Sequence, residues 1–145
     1  MAVRVERSVS IARPPADVFA FVSDIRNDPK WHTDVREAKA STEQVGLGTV
    51  FEVTMTKASM GVSGGTITVA EFDPPRAVVF QGKMGKMEPK VSYTVEPEGA
   101  GARYTRVVEI PTKGPMSLMA PMIKRMVGKA NDGFLANLKR VLESG

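Results

Sequence analysis

The chain has 145 residues, 42% of them hydrophobic and 25% charged, with twenty Lys/Arg against sixteen Asp/Glu for a formal charge of +4. The absence of cysteine excludes disulfides and thiolate metal sites and fits a reducing compartment. No run of eighteen apolar residues predicts a transmembrane helix, and nine aromatics outside any Lys/Arg run argue against a nucleic-acid partner. The length predicts one domain over 1–145. Met1 to Glu6 show no signal-peptide h-region, and Ala2 excludes N-myristoylation, so the expected location is cytoplasmic.

Val3, Val5, Val9 and Ile11 alternate with Arg4, Glu6, Ser8 and Ser10, the period of a strand with one buried face. Pro14 and Pro15 stop it and suit the first turn of a helix. That helix places Val18, Phe21, Val22 and Ile25 on one face. Asp24 to Trp31, broken by Pro29, reads as a second short helix or turn. From Val35 the chain is β with turn punctuation. Val35 to Ser41 is a weak strand, and Val50 to Lys57 is a strand with Phe51, Val53 and Met55 on one face. Gly61, Gly64 and Gly65 loosen the next connection. Gly65 to Phe72 follows, with Ile67 and Val69 together and Phe72 out of phase, the mark of a bulge. Asp73-Pro74-Pro75-Arg76 is a tight turn. Val78 and Phe80 share one strand face, and Val91, Tyr93 and Val95 another. Arg103 to Ile110 is the last strand.

Pro115 to Leu142 reads as one long amphipathic helix. Its first half carries Met116, Met119, Met122, Ile123 and Met126, and its second Ala130, Phe134, Leu138, Val141 and Leu142. At roughly 1.5 Å per residue it spans ~42 Å. It is the one element long enough to fill the concave face of an antiparallel sheet. The fold class is therefore α+β: a curved antiparallel sheet of six to seven strands wrapped round a C-terminal helix, with two short helices after strand one. The methionine half is expected to line a pocket, and the Phe/Leu half to seal a core.

Val9-Ser10-Ile11-Ala12-Arg13-Pro14-Pro15-Ala16-Asp17-Val18-Phe19-Ala20-Phe21-Val22-Ser23-Asp24 resembles the opening of the START-like (SRPBCC) superfamily, whose fold is the helix grip. Pro29-Lys30-Trp31 resembles its Pro-x-Trp, and Gly46-x-Gly48-Thr49 and Glu71-Phe72-Asp73-Pro74-Pro75-Arg76 resemble its turns. The nearest branch is the polyketide cyclase/dehydrase-like one, and the likeness runs along the whole chain. It implies a cavity between sheet and helix for a hydrophobic small molecule: lipid, quinone, sterol or polyketide-like. A second implied reading is a cofactor-independent aromatase/cyclase or dehydratase. A third is a protein-interaction module.

The ligand-binding residues expected from pattern and resemblance together are Trp31, Phe51, Val53, Met55, Ile67, Phe80, Tyr93, Val107, Met119, Met122, Ile123 and Met126. Met84 and Met87 either join that wall or form an ordinary turn. The last strand has two open registers: Thr105, Val107 and Glu109 inward, or Tyr104, Val108 and Ile110 inward with Arg106. The resemblance tilts toward the first. Tyr93, Glu109 and His32, the only histidine, are then the candidate acid/base groups, because cyclisation needs polar groups that polarise carbonyls and move protons. One histidine without spaced acidic partners predicts no metal site and no cofactor. Lys124, Arg125, Lys129, Lys139 and Arg140 read as a solvated helix face or a docking face for an anionic membrane. Stable insertion is not expected, and the protein is a monomer or homodimer.

Overall fold

A computed structural model describes residues 2–59 and 62–144. Seven strands form one antiparallel sheet in the order β1-β7-β6-β5-β4-β3-β2. They are β1 (Ala2–Ile11), β2 (Val35–Ala40), β3 (Val50–Ser59), β4 (Val62–Asp73), β5 (Ala77–Lys83), β6 (Lys90–Glu98) and β7 (Gly101–Pro111). Helix α1 (Pro15–Val22) and a 3-10 turn (Ile25–Lys30) connect β1 to β2. Pro15 opens α1 without losing a helical donor, and Val18, Phe19 and Val22 are its buried face. Phe21 is half-buried against the same core, and Phe19, not among the expected face, is fully buried and meets the Phe72 ring at 5.7 Å. Ile25 is buried from the 3-10 turn, beyond the end of α1.

The alternations read in β3, β5 and β6 are those of the folded sheet, with Phe51, Val53, Val78, Phe80, Tyr93 and Val95 all buried. The register of β4 on β5 shifts between Val69 and Glu71, which turns Phe72 to the core side. Gly64 and Gly65 are not a loop. They lie inside β4, opposite Thr54 and Val53, where neighbouring backbone comes close. Gly61 lies outside the described residues.

The long helix differs from its expected form. Pro115–Leu118 is a separate turn of helix, α2, and α3 runs over Ala120–Ser144. Pro121 has no N–H to offer the carbonyl four residues back, so the ladder is interrupted where Met119 caps α2. Two apolar clusters pack along α3. The larger joins Phe134, Leu135, Leu138 and Leu142 to Trp31, Phe51, Phe80 and Tyr104. The smaller joins Ile123 to Val3, Val5, Val108 and Ile110. Gly128 is buried against β1, where a methyl group would fall 2.5 Å from Arg7 Nη2. Arg7 in turn donates to Asp132 at 2.8 Å.

Gly133 has no such reason to be glycine. It is exposed, and a methyl group there would meet nothing within 4 Å. Gly133→Ala should raise stability by about 1 kcal/mol through helix propensity alone, read as a higher urea midpoint with unchanged slope. A neutral or negative change would show that α3 is not continuous there.

Candidate functional site

The gap between the two clusters is a cavity of about 260 Å³. Met126, Val127, Ala130, Asn131 and Phe134 of α3 form its roof, and its floor is the inner face of the sheet from Met55 across to Val108 and Ile110. Most of the wall is apolar. The polar groups lining it include Asp28, His32, Tyr93, Arg106 and Asn131.

Local sequence chemistry delivers these groups. The Asp24 side chain accepts from the Arg26 amide and starts the 3-10 turn. The carbonyl of Asp28 then accepts from the amides of Trp31, at 2.9 Å, and His32, at 2.7 Å, turning both side chains inward. Asn137 of α3 donates to the Trp31 carbonyl at 3.3 Å. The His32 ring stacks on Phe134, with centroids 4.0 Å apart. Trp31 is wholly buried behind it, edge-on to Tyr93 and Tyr104.

Arg106 is the centre of the cluster. It is buried on the inner face of β7, and Nη1 donates to Tyr93 Oη at 2.8 Å. Nη2 meets His32 Nε2 at 3.1 Å. A guanidinium only donates, so Nε2 accepts and the imidazole proton sits on Nδ1. The cation also lies 5.5 Å from the Tyr93 ring centroid and 5.8 Å from that of Trp31. Among the described residues no carboxylate forms an ion pair with Arg106. Asp28 is the acidic group that acts on it through space.

Burial sets the protonation of the neighbours. It pushes the Asp28 carboxyl well above its usual range, against the opposing pull of Arg106. It pushes the Tyr93 hydroxyl up to about 12, and raises Tyr104, which also faces Tyr93. His32 is held well below its ordinary value, first by burial and then by the Arg106 charge. Neutral His32 therefore stabilises the fold above the unfolded value of ~6.5, and that contribution is lost as pH falls below it. Asp28 works in the opposite sense: its contribution is complete below ~3.9 and is lost as pH rises through its elevated folded value. His32→Gln should flatten the loss of thermal stability on acidification below about pH 6.5, whereas Asp28→Asn should raise the melting temperature at neutral pH. Identical pH profiles in wild type and both variants would mean that neither side chain is held in this environment.

Of the residues expected at the site, His32, Met55, Ile67, Phe80, Tyr93 and Met126 line the cavity. Trp31, Phe51 and Val53 are in the packed core behind it, and Ile123 belongs to the smaller cluster. Met119 and Met122 are about half exposed on the outside of the helix, at 49% and 57%. The inward register of the last strand is the reverse of the expected one. Ala102, Tyr104, Arg106, Val108 and Ile110 are buried, so Val107 and Glu109 face away from the cavity. Glu109 is thereby removed from the acid/base set, and Arg106 takes its place. The signal was in the strand itself: Tyr104, Val108 and Ile110 outweigh Val107 as apolar bulk. Met84 and Met87 do join the wall. Asp28 and Asn131 had no sequence pattern to mark them.

The curved sheet gripping a C-terminal helix, with a cavity between them, defines a START-like helix-grip protein. The chain belongs to the family described as polyketide cyclase / dehydrase and lipid transport, which matches residues 2–143. No curated protein sequence matches it. Among solved structures it is similar to Ara h 8.0201, with 18% identity, TM-score 0.75 and complete coverage of both chains. It is also similar to a START superfamily protein from Mycobacterium smegmatis, with 16% identity, TM-score 0.75 and 97% of each chain covered. The third is the di-domain ARO/CYC StfQ from the steffimycin biosynthetic pathway. There the identity is 14% and the TM-score 0.78, and 99% of this chain spans 51% of that one. At these identities the structural likeness establishes the fold. Among the described residues no helix is long and apolar enough to cross a membrane.

Proposed function

We propose that the protein binds a hydrophobic small molecule whose apolar body fills the cavity and whose oxygen function sits on Arg106. The observation that carries this is a buried guanidinium lining an apolar cavity and, among the described residues, ion-paired to no carboxylate. Two of its five N–H groups are engaged, by Tyr93 and His32. A carbonyl or acidic oxygen accepting from another would gain a charge-assisted hydrogen bond in a low-dielectric site. The cavity is near the small end of ligand pockets, which suits a ring compound or a single acyl chain.

A thermal-shift series over quinones, sterols, fatty acids and polyaromatic ketones tests this reading. Oxygen-bearing ligands should stabilise the protein, and Arg106→Met should weaken them about tenfold or more while sparing hydrocarbons of the same shape. Stabilisation by none of them would overturn it.

The second reading is a cofactor-independent cyclase or dehydratase. Tyr93 favours it: its oxygen accepts from Arg106, leaving its own proton to be donated. His32 does not supply the matching base, because Nε2 is occupied by Arg106 and Nδ1 is enclosed without a partner. Binding therefore ranks first. Turnover of a poly-β-ketone mimic, lost in Tyr93→Phe, would reverse that order.

A further inference from the structure

The mouth of the cavity is built differently from the rest of the surface. One lip is the turn between β5 and β6 with the strand residue on either side of it, residues 83–90, whose Met84 and Met87 line the cavity. The other is the segment 111–131, comprising α2 and the first half of α3, with Met126 at the rim. Met87 and Met116 pack on the same small cluster, so the two lips are neighbours. Among the described residues four of the five exposed large hydrophobics lie here, Leu118 at 86% with Met119, Met122 and Met126, and Leu47 alone lies elsewhere.

Charge concentrates in the same place. The two lips hold seven of the twenty Lys/Arg and one of the sixteen Asp/Glu, a net +6 against −2 for the rest of the chain. No acidic residue occurs between Pro111 and Asn131. Arg125 and Lys129, both exposed, project from the same side of α3 as Met122 and Met126, by their helical spacing. An apolar strip flanked by cations and free of acids is the composition of a helix lying in a lipid headgroup layer. An anionic surface attracts such a strip by roughly 1 kcal/mol per Lys or Arg near it. Methionine and leucine side chains add burial without demanding a shaped partner.

We propose that this rim docks on an anionic lipid bilayer, cavity mouth toward the headgroups, so that a hydrophobic ligand would pass between membrane and cavity without crossing water. The docking stands on the rim itself and does not depend on which molecule the cavity holds. An acidic protein is the competing occupant, and the test separates the two.

The test is flotation of the purified protein with vesicles of phosphatidylcholine alone and of equal parts phosphatidylcholine and phosphatidylglycerol. Binding to the second only, weakened by added salt, is expected. Arg125→Glu with Lys129→Glu should lower partitioning about tenfold or more. Leu118→Gln with Met122→Gln should also lower it severalfold, because burial of apolar side chains is part of the contact. All four residues are exposed, so both variants should keep the wild-type melting temperature, and a melt checks this. No flotation with anionic vesicles overturns the proposal. Loss in the charge variant with full retention in the apolar variant also overturns it, since the apolar strip would then take no part in the contact and the rim would suit an acidic protein surface as well as a bilayer.

Discussion

Trp31→Ala should lower the free energy of unfolding by about 3–5 kcal/mol, a large share of the ~5–15 kcal/mol that holds a domain of this kind together. The side chain is wholly buried and touches the rings of His32, Tyr93 and Tyr104, with the Arg106 cation over its face. Its indole nitrogen makes no hydrogen bond, so the loss is one of packing and of the cavity left behind. That cavity would undermine the layer supporting Arg106 and Tyr93. Trp31→Phe, which keeps an apolar ring, should recover much of the loss. Urea unfolding followed by far-UV circular dichroism measures this, since the substitution removes the only tryptophan. Met119→Ala and Met122→Ala, at exposed positions, should stay within about 0.5 kcal/mol. If Trp31→Ala proves as mild as the methionine variants, the tryptophan is a movable lid and not a packed wall.

The other large effect is expected at Gly65. A methyl group there would lie 2.1 Å from the Lys83 carbonyl oxygen and 2.7 Å from Met84 Sδ. The sulfur ends a flexible side chain and can move; the carbonyl belongs to the neighbouring strand and cannot move without loosening β4 from β5. Gly65→Ala should cost on the order of 3 kcal/mol, although it adds only one carbon. Gly46→Ala, where a methyl group would meet nothing within 4 Å, is the matched control. Equal stability of the two variants would mean that the close backbone approach at β4 is absent.

Most of the sheet was legible because its inner face is apolar and its period is two. Phe51 with Val53, Val78 with Phe80, and Tyr93 with Val95 alternate with polar neighbours, so a slip of one residue would expose them. The last strand carries a charged residue in either register, Arg106 or Glu109, and alternation alone does not rank the two. Four apolar residues, Ala102, Tyr104, Val108 and Ile110, accompany Arg106 inward. Tyr93 and His32 then share its hydrogen bonds from distant segments, partners that no local pattern contains. Asp28 illustrates the same limit. It is an ordinary turn residue by sequence, and only the 3-10 geometry carries its carboxyl inside.

The methionines of the C-terminal segment show the reverse error. Their spacing is that of a helix stripe, but a stripe gives no sign of where its covering ends. The smaller cluster takes Ile123, the cavity begins at Met126, and Met119 and Met122 face outward from the helix. The Phe134–Leu138–Leu142 face is covered by Trp31, Phe51 and Tyr104, and it is buried as its spacing predicted.

The pairing of β1 sets the order of events during synthesis. Its sheet neighbour is β7, with Ala2 opposite Pro111 and Ile11 opposite Ala102, and Arg7 is tied to Asp132, 125 positions away. Strand β1 thus has no native sheet partner until β7 has been translated, and α3, the helix that covers it, follows β7. Contacts of such long range slow folding and prolong the exposure of unpaired apolar strands. Val3, Val5 and Ile11, all buried in the folded protein, are the apolar side chains of β1 that wait for cover over that interval.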